Sequence, residues 1–383
     1  GDAVKRILVL GGGLVGSAIA RNLSRDGDLE VTVADNSSQV CDTLTEKYGL
    51  TTTQLDVTHK RALTQLVRKT DLVVGAVPGF VGYQVLKTVI KAETAIVDIS
   101  FFPEDPLALH DLAVKNNVTA VIDAGLAPGL SNLVIGRYHE EYDPLDSFVC
   151  YVGGLPKVRK WPFEYHAVFS PADVLEEYTR PVLMKVGGQL VTRSALTDLE
   201  LIDLPRIGTL EAFNTNGLRT LLATMRVPDM QEKTLRYPGH ADRMRMLREV
   251  GFFDREHLDI GGEKVRPIDV TSRLLFNAWQ STEDGRDVAV MRICLSGSLQ
   301  GRHIKTVVDL YDEYDEQTHT TAMARTTGYT CAAVVRLILD GAYRQPGIRP
   351  LEYLGADKAV YRRLLGDLAD WGIALNVQQV AES

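Results

Sequence analysis

The run Gly11-Gly12-Gly13-Leu14-Val15-Gly16 lies between the strand-like apolar segment 7–10 and an amphipathic stretch, placing G-x-G-x-x-G where a strand turns into a helix. That spacing suits a diphosphate. Gly11 permits the tight turn, Gly13 lets the backbone approach the pyrophosphate and Gly16 lets the helix lie against the strand, while N–H groups at the helix start attract the anion. A glycine-rich turn can also be only a tight connection, and Asp35 is what argues against that here. It closes the second strand-like segment, where a carboxylate accepts hydrogen bonds from the adenosine ribose hydroxyls. The same charge repels a 2′-phosphate, and Asn36-Ser37-Ser38 supplies no Arg or Lys to offset it. The expected cofactor is therefore NAD rather than NADP.

Ligands of open parallel sheets collect at the carboxyl ends of the strands, which brings in Asp56-Val57, Ala76-Val77-Pro78-Gly79 and Asp98-Ile99-Ser100. Asp56 either accepts from the adenine amino group or caps the helix starting near Thr58. The 77–79 segment either borders the ribose and nicotinamide or only turns the chain. With Leu14, Val15 and Asn36, these strand ends complete the expected cofactor contacts.

The elements that must position them alternate. Segments 7–10, 30–34, 51–55, 72–77, 95–99 and 119–122 are β-rich, and amphipathic stretches between them read as crossover helices, the pattern of a doubly wound parallel sheet. Leu14, Val15, Ile19 and Leu23 share one helical face toward that sheet. Beyond Gly125 the elements lengthen, with strand-like runs at 147–152, 164–169 and 288–296 and helices near 171–178 and 240–250. A strongly apolar helix over 327–341, bounded by Gly328 and Gly341, is expected to be buried. The fold class is α/β, a Rossmann domain with a second α+β lobe.

The chain has 383 residues, a net charge of −8, and 45% hydrophobic and 24% charged residues, the profile of an ordinary globular protein large enough for two lobes. An acidic balance disfavours nucleic acid, which needs clustered cations, and tolerates a cationic metabolite. The apolar region around 72–89 is broken by Gly75, Pro78, Gly79 and Gly82, so no membrane span is expected, and the amino terminus carries no leader pattern. Scattered Cys41, Cys150, Cys294 and Cys331 suggest free thiols in a reducing cytoplasm, and the dispersed histidines give no metal site.

Several segments together, the run 123–132 (DAGLAPGLSN), the turn 153–156 (GGLP), Phe169-Ser170-Pro171, 177–181 (EYTRP), 236–240 (RYPGH) and 327–330 (TGYT), resemble the saccharopine dehydrogenase-like superfamily, and within it most resemble the lysine 6-dehydrogenase branch. The resemblance spans nearly the whole chain. It implies NAD-dependent oxidation of the ε-amine carbon of L-lysine to allysine, which cyclises, with release of ammonia. It also implies a discontinuous Rossmann domain over 1–124 and 326–383, a substrate and oligomerisation domain over 125–325, and a homo-oligomer, dimer or tetramer. The alternatives are a dehydrogenase or reductase of a secondary amine, as in saccharopine or carboxynorspermidine metabolism, and a non-catalytic NAD-binding regulator.

Lysine oxidation needs a neutral amine, whose ordinary pKa is about 10.4, and so a base or a dry pocket. Asp123, after the sixth strand, is the first candidate to bind or deprotonate the amine, and a turn or cap carboxylate is its plain alternative. Glu164 and His166 follow, because strand alternation would put both on one face. An α-carboxylate calls for Arg180 or Arg219, the latter after the polar loop opened by Asn214. His240 begins an arginine-rich helix and is either a substrate contact or part of a solvated face.

Overall fold

The computed structural model describes residues 3–167, 171–280 and 285–382, and the chain divides into two compact units, Gly1–Glu141 with Met323–Ala374 and Tyr142–Ala322 with Leu375–Ser383. In the first unit β1 (Lys5–Leu10), α1 (Leu14–Leu23), β2 (Leu29–Asp35), α2 (Ser38–Tyr48), β3 (Thr51–Gln54), α3 (Lys60–Val67), β4 (Leu72–Gly75), α4 (Gly79–Lys91), β5 (Ala95–Asp98), α5 (His110–Lys115) and β6 (Thr119–Ile122) alternate. The sheet is wholly parallel, and a seventh strand, Gly347–Pro350, pairs with β6 to give the order Gly347–Pro350, β6, β5, β4, β1, β2, β3. Successive strands leave β1 in opposite directions, so the crevice at the carboxyl ends of β1 and β4 is the topological switch point. Helices on both faces explain why β4 and β6 are buried at every residue and read as unbroken apolar runs.

Leu14 is 55% exposed, whereas Ile19 and Leu23 are fully buried, so the expected apolar face of α1 starts later than its first residue. The apolar helix runs over Ala322–Leu339, and Gly328 lies inside it rather than at its boundary. There a Cβ would stand 3.2 Å from Ile19 Cγ1 and 3.5 Å from the Val15 carbonyl oxygen, so the glycine allows this helix to press against α1. Arg336 fixes the same pair, donating to Asp26 and Asn22 at 2.7 Å each.

In the second unit a sheet of nine strands runs Glu200–Leu204, Gly208–Asn214, Asp229–Arg236, Leu145–Pro156, Asp287–Leu299, Arg302–Glu313 and Asn376–Ala381, with Val182–Val186 attached beside Asp229–Arg236 and Gln189–Arg193 paired in turn with Val182–Val186. Gln300 and Gly301, both at positive φ, close its long hairpin between Asp287–Leu299 and Arg302–Glu313. Helices Pro171–Thr179, His240–Val250 and Pro267–Ala278 bring side chains into a common aromatic core with Phe213.

Two expected boundaries move. Helix Leu130–Glu141 lies in the first unit, tied there by the buried bond from Asn132 Nδ2 to Glu352 Oε1 (3.1 Å), so the division falls at 141/142 and not at 124/125. The tail crosses the other way, because Asn376–Ala381 pairs with Arg302–Glu313. The strand expected at 164–169 is absent over 164–167, where Glu164 adopts φ +50°; residues 168–170, including the Phe169-Ser170 of the family-like segments, lie outside the described residues.

Candidate functional site

The glycine loop of the first unit is shaped by close approach. At φ +102° a Cβ on Gly11 would stand 2.1 Å from the Ala76 carbonyl oxygen, and one on Gly16 would stand 2.0 Å from that of Gly11. Both positions therefore exclude any side chain. A Cβ on Gly13 would meet nothing within 4 Å, leaving open space at the start of α1, whose first turn has neither a side-chain cap nor an acidic residue. The first N–H groups of α1 thus remain available to an anion.

Asp35 ends β2 beside this loop. Its Oδ2 accepts from Gly12 N and its Oδ1 from Ser37 N, both at 2.9 Å, which fixes the carboxylate over the loop with lone pairs to spare. Ser37 then caps α2, accepting from Val40 N. Asn36 is exposed, and its carbonyl accepts from Gln54 Nε2. Asp56 closes a local turn and does not cap a helix, because α3 starts only at Lys60 with His59 as its N-cap and no side-chain cap: its Oδ1 accepts from Thr58 N (2.9 Å) and Thr58 Oγ1 (2.6 Å), bonds that hold its carboxyl below the usual carboxylate range. Val57 beside it is half-buried.

At the end of β4, Val77 N donates to Ser100 Oγ (3.3 Å), and Ser100 N donates to Asp98 Oδ1 (2.8 Å). Pro78 precedes the first turn of α4 and exposes its ring, as does Phe80. Asp123, 3% exposed, follows β6 at φ +52°, and the next residue, Ala124, donates its N–H to the Asp98 carbonyl. A non-glycine residue in that region is strained and is held there by its surroundings. The ends of β1, β2, β4, β5 and β6 thus bring Gly11, Asp35, Val77, Ser100 and Asp123 to one edge of the sheet, as their positions in the sequence predict. Asp56 lies after β3, at the sheet's far margin.

The second unit disposes of its expected residues differently. Glu164 and His166 share no strand face; Glu164 accepts from Arg159 Nε and Nη2 (3.1 and 3.3 Å), while His166 is half-buried and its imidazole is held below its usual pKa by that burial. Arg180 pairs with Glu176 one helical turn away (3.2 Å). Asn214 is fully buried and donates to Asp198 Oδ2 (2.6 Å) and Thr197 Oγ1 (3.2 Å), tying its strand to the 197–198 segment. Arg219 is half-buried at φ +47°. His240, 1% exposed, lies in the core and not on a solvated face. Its Nδ1 is 2.9 Å from the Phe163 carbonyl, which can only accept, so Nδ1 carries the proton and Nε2 accepts from Tyr178 Oη at 2.7 Å. Burial, reinforced by the nearby Arg236 charge, holds its pKa down to about 3. Both ring nitrogens are occupied, and the arrangement anchors structure.

Sequence reasoning missed the partners of that histidine. Arg236, 2% exposed, donates to Glu177 Oε2 (2.8 Å) and lies 4.3 Å from the Tyr165 ring centroid. Burial works against its charge, but Tyr165, Tyr178 and Glu177 outweigh it and raise its pKa; burial in turn raises the Glu177 carboxyl against the pull of Arg236. Tyr165 stacks edge-on with Trp279 at 5.3 Å. Only the 236–240 run was visible, and nothing local pairs it with residues about sixty positions away. Among the described residues, no group of three or more His, Cys, Asp or Glu could hold a metal, all four cysteines are free, and no helix is long and apolar enough to cross a membrane.

Known proteins match this chain along most of its length. The profile of the saccharopine dehydrogenase NADP binding domain matches residues 7–121, and that of the saccharopine dehydrogenase C-terminal domain matches 125–373. The mitochondrial alpha-aminoadipic semialdehyde synthase of Mus musculus is 22% identical over 457 residues, covering 98% of this chain and 48% of that protein, so the chain spans about half the length of such relatives. Saccharopine dehydrogenase (NADP(+), L-glutamate-forming) of Saccharomyces cerevisiae is 23% identical over 415 residues, covering 90% of this chain and 93% of that protein. The structure of apo histidine-tagged saccharopine dehydrogenase (L-Glu forming) from the same yeast superposes with a TM-score of 0.83 at 20% identity, covering 98% of this chain and 100% of that one, and so shares its fold. With two adjoining domain profiles matched over almost its whole length, the chain belongs to the saccharopine dehydrogenase family.

Proposed function

We propose that the chain is an NAD-dependent oxidoreductase acting on the carbon–nitrogen bond of an amino acid, with the ε-amine of L-lysine as substrate and allysine and ammonia as products. The observation that carries the cofactor assignment is the Asp35 carboxylate, held at the glycine loop by Gly12 N and Ser37 N. Its free lone pairs suit the two ribose hydroxyls, and its charge opposes a 2′-phosphate. The open space above Gly13 and the uncapped start of α1 fit a diphosphate. Val77, Pro78 and Ser100 border the nicotinamide half, and Asp56 meets the adenine with whatever acceptor capacity Thr58 leaves it.

When bound, NAD supplies the hydride acceptor. The chain's part is to deliver a neutral amine and to keep it oriented. Asp123, buried beside the Asp98 backbone at the same sheet edge as Asp35, receives the ammonium and takes its proton. His166, whose lowered pKa keeps it neutral near pH 7, is the second candidate. Arg219 and Arg180 are the candidates for the α-carboxylate, and Arg180 would have to leave or share its pairing with Glu176 to serve. A homo-oligomer is the expected assembly, and light scattering tests it.

A second reading, a secondary amine of the saccharopine type, is favoured by the names of the relatives, which are saccharopine dehydrogenases and semialdehyde synthases. Product analysis separates the two. L-Lysine with NAD yields ammonia in the first, whereas saccharopine yields L-glutamate in the second. Binding of NADH without turnover of any amino acid or diamine would leave only a non-catalytic NAD-binding regulator.

A further inference from the structure

α3 and α4 lie side by side in the first unit, and the groove between them forms a half-open cleft of about 280 Å³. Lys60 and Arg68 enter it from α3 and its C-cap, and Lys87 and Lys91 enter it from α4, with Gln84 among the lining residues and no carboxylate. None of the four cations forms an ion pair with any described residue, although acidic residues outnumber basic ones in this chain, 50 to 42. Lys87 and Lys91 stand at i and i+4 on one helix face, where like charges repel. Lys60 lies in the first turn of α3, which contains no acidic residue, so the helix dipole opposes its charge too. The Thr64 and Thr88 hydroxyls lining the cleft donate back to the Lys60 and Gln84 carbonyls, so they do not neutralise it.

Lys60, Arg68 and Lys91 are exposed and Lys87 is half-buried, so the four cations stay hydrated in the ligand-free protein, and a multivalent anion gains by meeting all four at once in one concave space. The α3 stripe from Lys60 to Arg68 is about 12 Å long at 1.5 Å per residue, which suits a chain of phosphates better than a single one. We propose that the α3–α4 groove is a binding site for a short polyphosphate chain, two or three phosphates long, separate from the glycine loop. Both a nucleotide and inorganic polyphosphate present that chemistry.

The test is calorimetric titration with sodium tripolyphosphate at low ionic strength. Single-site binding is expected, weakened at least about tenfold by the double substitution Lys87→Glu with Lys91→Glu and falling steeply with added salt. Gly13→Asp controls for the cofactor loop: open space there admits the side chain, and its charge rejects an anion at the start of α1. Binding that survives Gly13→Asp but not the double substitution supports the groove. Binding lost in Gly13→Asp, indifferent to the double substitution, or absent from the wild type overturns the proposal. ATP binding as tightly as tripolyphosphate would identify a nucleotide as the ligand, weaker ATP binding the inorganic chain, and both support the site. The double variant should unfold within a few degrees of the wild type; a collapse of its melting temperature would make these lysines structural and refute the ligand role. NADH binding and turnover are not needed for any of these readouts, so failure of the dehydrogenase reading would show separately.

Discussion

Replacing Asp35 probes the cofactor assignment most directly. In Asp35→Ala the ribose loses the acceptor of two charge-assisted hydrogen bonds, each about 1.5–3 kcal/mol net of competition with water. Because Asp35 is only half-buried and both bonds share one carboxylate, their combined loss is about 2–4 kcal/mol, which raises the KM for NAD about 30- to 1000-fold. The opposite change applies to NADP. Its 2′-phosphate carries a charge of about −1.5 to −2, and at ~4 Å in a water-like medium each unit of charge facing Asp35 costs about 1 kcal/mol. Relief of that repulsion improves NADP about 10- to 30-fold, so the NAD-to-NADP ratio of kcat/KM should fall by at least about 300-fold. Asp35→Asn isolates the charge, because its amide oxygen can still accept from Gly12 or Ser37 while the negative charge is gone. The assay is steady-state kcat/KM with each cofactor at saturating amino acid, supported by fluorescence titration of NADH and NADPH. A wild type that prefers NADP, or an unchanged ratio in both variants, would refute the role given to Asp35.

Gly11→Ala forces a side chain to within 2.1 Å of the Ala76 oxygen at φ +102°, and should cost about 3 kcal/mol or more in denaturant unfolding along with cofactor binding. His240 has its pKa lowered to about 3 in the folded protein, against about 6.5 unfolded. Its contribution to stability is therefore full above pH ~6.5 and declines as pH falls from there toward ~3, by about 1 kcal/mol per unit; His240→Phe should flatten the stability profile over that window, as measured by urea unfolding at a series of pH values. Glu177→Ala leaves the buried Arg236 charge without its carboxylate and should destabilise the protein by about 3 kcal/mol, whereas Arg180→Ala, which breaks only a half-buried pair one helical turn apart, should change the same measurement by under about 1 kcal/mol. If Asp123→Asn and His166→Ala both keep the wild-type rate and pH profile, neither residue is the base.

The first unit was legible because its signals are local. A strand covered on both faces must be apolar throughout, so 72–77, 95–99 and 119–122 could be placed within two residues or so of β4, β5 and β6. A loop so close to a neighbouring backbone that a Cβ would stand about 2 Å from a carbonyl oxygen must be glycine whatever the rest of the fold does. The seventh strand escaped notice because Gly347–Pro350 is four residues long and contains a glycine and a proline, poor strand formers. Asn376–Ala381 escaped because every residue of this edge strand is exposed, so no apolar alternation marks it.

The segment 163–167 shows the limit from the other side. Phe163, Glu164, Tyr165 and His166 alternate as a strand would, yet the alternation arises because Phe163 and Tyr165 turn edge-on toward Trp279 while Glu164 reaches Arg159. Burial is imposed there by a tryptophan more than a hundred residues away, and a local pattern cannot tell that from a pleat. By itself, the sequence determined the glycine loop, the acidic end of β2 and the parallel core, because backbone clearance and two-sided burial constrain residue type position by position. Tertiary structure alone decided that His240 is a core hydrogen-bond anchor, that Arg236 pairs with Glu177, and that Glu164 and His166 part company. Each of these depends on which distant side chain arrives beside it, and that is fixed only when the layers pack.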